Sequence, residues 1–128
     1  LFSMEYDLDE VAKRLDWFPN TKTDLAERIC HVQLQAMQDW EKVRQFFIDY
    51  QDRIIYGTDV IDDGSLTAEA TAAKLEQLWQ YHWEFFATDH LMEAAEFEGS
   101  FNGLKLPESI LKKIFYSNAV STYMLDVP

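Results

Sequence analysis

Asp59 stands near the end of a short apolar run, RIIYGTDV, at residues 53–60. An acid at the tip of a strand can accept a proton from water or hold a cation. It can equally close a turn on its own backbone. Gly57 permits a bend or a close approach there, and Thr58 can hydrogen-bond locally. Spacing alone leaves a site acid and a plain strand-to-loop Asx-turn both open.

Other side chains could join such a site. Arg28 and His31 follow a second β-favouring stretch, and Arg28 could clamp a substrate carboxylate. The alternative for that pair is an exposed loop. Asp24 is a further polar group at the same end, or a cap on the turn. His82 lies on the apolar stripe of a long helix, where a core histidine with one hydrogen-bonded nitrogen is the simpler reading. His90 follows Asp89 in a loop as a solvated pair or as part of a loop over the mouth. Asn118 is placed to satisfy buried backbone groups. Cys30 has no visible activating partner and reads as packing rather than as a nucleophile.

The elements that would position these groups follow from periodicity. DLDEVAKRLDWF reads as a helix capped by Asp7, with Glu10 completing a capping box and Leu8, Val11, Ala12 and Leu15 on one face. Pro19 and Asn20 stop it. Residues 21–25 form a short strand. Gln38 to Tyr50 is an amphipathic helix with Trp40, Val43, Phe47 and Tyr50 in one stripe, widened by Phe46. Residues 53–58 are contiguous and apolar, as in a parallel strand covered on both faces. The two strands start about 32 residues apart, at Thr21 and Arg53. That length fits a right-handed βαβ crossover and predicts that they lie parallel and adjacent. After the turn-rich IDDGSLT, a longer helix covers Ala68 to Ala87, with Leu75, Leu78, Trp79, His82 and Phe86 inward. Residues 89–106 read as irregular, and Pro107 opens a last helix reaching Tyr123.

Composition bounds the function. The chain has 128 residues, 48% of them hydrophobic and 15% aromatic, which suits one domain with a core. Twenty-three acidic against eleven basic residues give a formal charge of −12. With no basic cluster larger than Lys112-Lys113, a nucleic-acid partner is not expected. No apolar run approaches the roughly 20 residues that span a bilayer, so no membrane partner is expected either. One cysteine fits a reducing, cytoplasmic setting, and the N-terminus does not read as a signal peptide.

Two parallel strands cannot make a stable sheet by themselves. An αβαβα order therefore reads as a slice of a larger α/β domain. DRIIYGTD resembles the eighth-strand motif of the metal-dependent amidohydrolases with a TIM-barrel fold, in the branch that includes decarboxylases. LDWFPNTKTDL is similar to the passage from helix six to strand seven of that branch, and LPESILKKIFYSNAV to its C-terminal helix. The three segments occur in the family's order across residues 1 to about 124.

The resemblance implies a C-terminal slice of a (β/α)8 barrel, the last third of a metal-dependent hydrolase acting on a small molecule. Residues 1–128 would be a single partial domain. The family binds a divalent metal, often zinc, with histidines from strands one, five and six and an aspartate from strand eight. Asp59 matches that aspartate, as metal ligand and catalytic acid–base. Such a metal makes bound water acidic enough to ionise near pH 7. LFSMEYD is similar to the stretch after the sixth-strand histidine, so that ligand would lie just before Leu1. The histidine pair of strand one has no counterpart here, so the missing N-terminal barrel portion is itself an expected partner and the chain alone would be inactive.

Two alternatives stand beside this one, a decarboxylase of the same superfamily and a non-catalytic acidic interaction module. The slice reading also predicts exposed apolar surface, because Ile54, Ile55 and Tyr56 could not all be covered by the helices available.

Overall fold

The structure, a computed structural model, describes residues 2–4 and 6–127. It is mixed α/β, mostly helical, with a small parallel sheet. Helix α1 spans Leu8–Trp17 and buries Leu8, Val11 and Leu15. Asp7 caps it by accepting the Asp9 N–H at 2.9 Å. Glu10 does not close a capping box; its carboxylate turns to Lys13 instead. The sheet holds β1 (Phe2–Ser3), β2 (Thr23–Asp24) and β3 (Ile54–Ile55) in the order β1-β2-β3. All pairings are parallel, with Phe2 opposite Thr23 and Thr23 opposite Ile54. The parallel adjacency of the two expected strands is therefore present. Regular pairing is shorter than 21–25 and 53–58, and a third strand precedes the two foreseen.

The crossover from β2 to β3 is two helices rather than one. Helix α2 spans Ile29–Gln38 and α3 spans Trp40–Asp49. Asp39 divides them: its φ of −150° and ψ of 84° leave the helical region, and its carboxylate accepts the Lys42 N–H at 3.1 Å to start α3. The sequence hid α2 because its buried face is Ile29, Val32, Gln33 and Ala36, in which a glutamine interrupts the apolar stripe.

Helix α4 occupies Ala68–Ala87, with Thr67 as its cap. It is buried only near its end, at His82, Phe85 and Phe86. The inward stripe expected from Leu75 onward is corrected here: Leu75 and Leu78 are half-buried and Trp79 is exposed. Residues 89–106 are not irregular throughout. They form an antiparallel hairpin of β4 (Leu91–Glu93) and β5 (Ser100–Asn102), which pairs Met92 with Phe101 on the core side.

The chain then crosses the end of α4, and the N–H groups of Leu104, Lys105 and Leu106 donate to Phe85, Thr88 and Phe86 carbonyls at 2.7, 2.9 and 2.9 Å. Those carbonyls have no partner within the helix, so the crossing segment completes it. On its other side the segment is held by α3, where the Trp40 indole donates to Gly103 O and Arg44 Nε to Leu104 O, each at 3.0 Å.

Pro107 is the residue before the last helix rather than its first position. That helix runs α5 (Glu108–Lys112), a π-helical turn (Lys113–Ser117) and α6 (Asn118–Tyr123). It closes the outer edge of β3. The Tyr56 N–H donates to Ile114 O at 2.9 Å, and Asn118 Nδ2 donates to Ile54 O at 2.8 Å. Ile54 and Ile55 are consequently buried, and Tyr56 stacks on Phe115 with ring centroids 4.4 Å apart. The last helix thus covers Ile54 and Ile55 by reaching the strand edge itself, and of the three residues expected not to be all covered Tyr56 stays half-buried.

Candidate functional site

A cleft of about 390 Å³ opens at the C-terminal ends of β2 and β3. This is the end where parallel α/β proteins gather their ligand-binding groups. The turn after β2 builds one wall. Asp24 accepts the Ala26 N–H at 3.1 Å, so its carboxylate is spent on an Asx-turn. Glu27 then takes a left-handed φ of 54° and delivers Arg28, Cys30 and His31 to the cleft. Thr58 comes from the turn after β3, Leu78 and His82 from α4, and Glu96 from the hairpin.

Arg28 and His31, for which the sequence left open a shared mouth or an exposed loop, both line the cavity and are half-buried. Arg28 is loosely held, with Nη1 3.4 Å from Glu27 Oε2 and a side chain 35% exposed. His31 packs edge-on against Tyr6, ring centroids 4.3 Å apart. Burial, with the Glu96 carboxylate adding to it, pushes the Cys30 thiol up, away from nucleophilic character.

Asp59 follows Thr58 directly but is not part of the cleft wall. It is exposed, sits at a left-handed φ of 56°, and pairs with no other described residue. Gly57 does not make the turn: its φ is ordinary, and a Cβ there would meet Ala26 Cβ at 3.5 Å, a normal contact. The positive φ falls on Asp59, a residue type that tolerates it better than most. His90 pairs with Glu84 at 2.8 Å, while Asp89 pairs with Lys105 at 2.6 Å. Neither belongs to the cleft.

One polar feature at the cleft joins two residues that the sequence left unconnected. Tyr56 O–H lies 2.9 Å from His82 Nδ1. Burial lowers the His82 pKa to about 4, with Glu96 opposing weakly, and raises that of Tyr56 to about 12. At neutral pH both are uncharged, and the bond has two forms: Tyr56 donates to Nδ1 with the imidazole proton on Nε2, or Nδ1–H donates to the Tyr56 oxygen. Reading His82 as a core histidine with one bonded nitrogen is therefore correct. Nothing in the spacing pointed to Tyr56 as its partner.

Among the described residues no three His, Cys, Asp or Glu side chains gather to hold a metal ion. Asp59 supplies one carboxylate where zinc sites use three or four protein ligands, so the further ligands a zinc ion needs are not beside it among the described residues. No described helix is long and apolar enough to cross a membrane. Compared with protein-family models, with curated proteins and with solved structures, the chain matches none.

Proposed function

We propose that this chain is the C-terminal part of an amidohydrolase-type (β/α)8 barrel, a hydrolase that acts on a small molecule at the C-terminal ends of its strands. The observation that carries the reading is the sheet itself. Three parallel strands lie in sequence order, with α1 and α3, from the two connections, packed on each other. The cleft and both left-handed acids, Glu27 and Asp59, occupy the C-terminal edge of that sheet. Unfavourable backbone conformations held by non-glycine residues are common at functional sites.

In this reading Asp59 accepts the proton of the attacking water and Arg28 orients the substrate; a divalent ion, zinc in the resemblance, would be held chiefly by histidines of preceding strands and would make that water more acidic. Asp59→Asn keeps size and tolerates the same φ while removing the proton acceptor. In the complete reading frame, hydrolysis of ester and amide substrates should fall at least about 10²-fold with an unchanged melting temperature. Near-normal turnover would remove Asp59 from the mechanism, and carbon dioxide release without hydrolysis would move the protein to the decarboxylases.

The acidic interaction module remains a second reading, favoured by one observation. The last helix already satisfies the outer edge of β3, so the 128 residues cover more of their own sheet than a bare slice would. A monodisperse chain that melts cooperatively and binds no hydrophobic dye would support the module.

A further inference from the structure

His82 and Arg28 face one cavity from different elements, α4 and the turn after β2. His82 is 9% exposed. Its Nδ1 is occupied by Tyr56 at 2.9 Å, which leaves Nε2 as its remaining hydrogen-bonding atom. Tyr56 is itself fixed by stacking on Phe115, whose ring is in turn 5.2 Å from Trp83. The aromatic scaffold thus fixes where the Tyr56 hydroxyl meets the imidazole, and in the tautomer in which Tyr56 donates to Nδ1 the Nε2–H can donate but not accept. Arg28 can only donate as well, and Thr58 adds a hydroxyl. The cleft's two acids, Glu27 and Glu96, are exposed at its rim.

We propose that the cleft binds the carboxylate of a small molecule, with His82 Nε2–H and the Arg28 guanidinium as its donors and Tyr56 as the residue that positions His82. Two buried or half-buried donors, one cationic, match the acceptor-only oxygens of a carboxylate. The apolar surfaces of Ile29 and Leu78 in the same wall suit a hydrocarbon body. The rim carboxylates disfavour a second negative charge on the ligand, which narrows the class to monocarboxylates. This rests on the hydrolase reading only in calling the ligand a substrate; the binding itself needs neither turnover nor metal.

The test is a titration of the chain, with EDTA present, using benzoate as probe and benzamide as its uncharged counterpart. Binding is followed by the ¹⁵N signals of the histidine side chains. The expected result is an Nε2–H tautomer for His82 in the free protein, an Nε2 signal that moves on adding benzoate, and clearly weaker binding of benzamide. Arg28→Gln should weaken benzoate by roughly tenfold, the loss of one charge-assisted bond. Tyr56→Phe should weaken it less and release the His82 tautomer, a signature that a merely structural tyrosine would not give.

An Nδ1–H tautomer in the native chain, an Nε2 signal unmoved by excess benzoate, or equal affinity for benzamide would overturn the proposal. Benzoate binding by the chain, with no ester or amide hydrolysis by the complete reading frame, would sink the hydrolase reading and leave this site standing. Asp59-dependent hydrolysis without benzoate binding would do the reverse.

Discussion

Asn118 Nδ2 donates to Ile54 O at 2.8 Å, joining the last helix to the last parallel strand across 64 positions of sequence. The same group donates to Gln51 O at 2.7 Å, so one buried amide ties a turn, a strand and a helix together. Removing it leaves the Ile54 carbonyl buried without that donor. Asn118→Ala should therefore cost about 1–3 kcal/mol, read as a lower urea midpoint at unchanged slope. Asn118→Asp should do no better, since a carboxylate cannot donate. A midpoint unchanged in both variants would mean that water replaces the amide.

The neutral imidazole of His82 makes a pH prediction with a definite sign. Its folded pKa is about 4 against an ordinary 6.5. Above pH 6.5 neither state binds the proton, and the full stability is present. As pH falls from 6.5 toward 4 the unfolded chain is protonated first, so stability drops, and below about 4 this loss levels off. The size is of order 3 kcal/mol, at about 1.36 kcal/mol for each pH unit between the two pKa values. His82→Gln should flatten the stability curve between pH 6.5 and 4 without altering its fall at lower pH, where carboxylates titrate. An unflattened curve would show that the imidazole is not buried neutral.

Two glycines should respond oppositely in scale. A Cβ on Gly103 would lie 2.2 Å from Thr88 O and 3.0 Å from Phe85 O, and both are backbone atoms at the end of α4. Gly103→Ala must push the crossing segment off the helix, at a cost of about 1–3 kcal/mol or more. Gly64 has a φ of 74° and open space around it, so Gly64→Ala should cost only about 1 kcal/mol through its backbone. Thermal melts of the two variants check the order.

Much of this arrangement is legible in the sequence where local pattern dominates. The apolar spacing of Leu8, Val11 and Leu15 places α1, and the contiguous run ending in Tyr56 places β3 beside β2. The turn-rich IDDGSLT and the long run to Ala87 mark α4. What escapes is set by distant partners. β1 is two residues long and becomes a strand only because β2 is there to pair with it. The division of α2 from α3 rests on one aspartate, Asp39, whose cap competes with helix continuation. The inward face of α4 was misread because Trp79 is helical and apolar yet meets solvent, a matter of what lies opposite rather than of period. In the cleft, Arg28 and His31 were legible from their place after a strand. The Tyr56–His82 bond was not, since 26 positions separate the two and no motif links them.

The closed outer edge of β3 also sets how this molecule can add to itself. A sheet with two open edges can polymerise, each added chain presenting a fresh template. Here the Ile114 carbonyl and the Asn118 amide occupy the β3 side, and β1 is the remaining edge strand of the parallel sheet. A further strand, whether from another copy or from an earlier part of a barrel, could therefore add at the β3 side only by displacing the last helix.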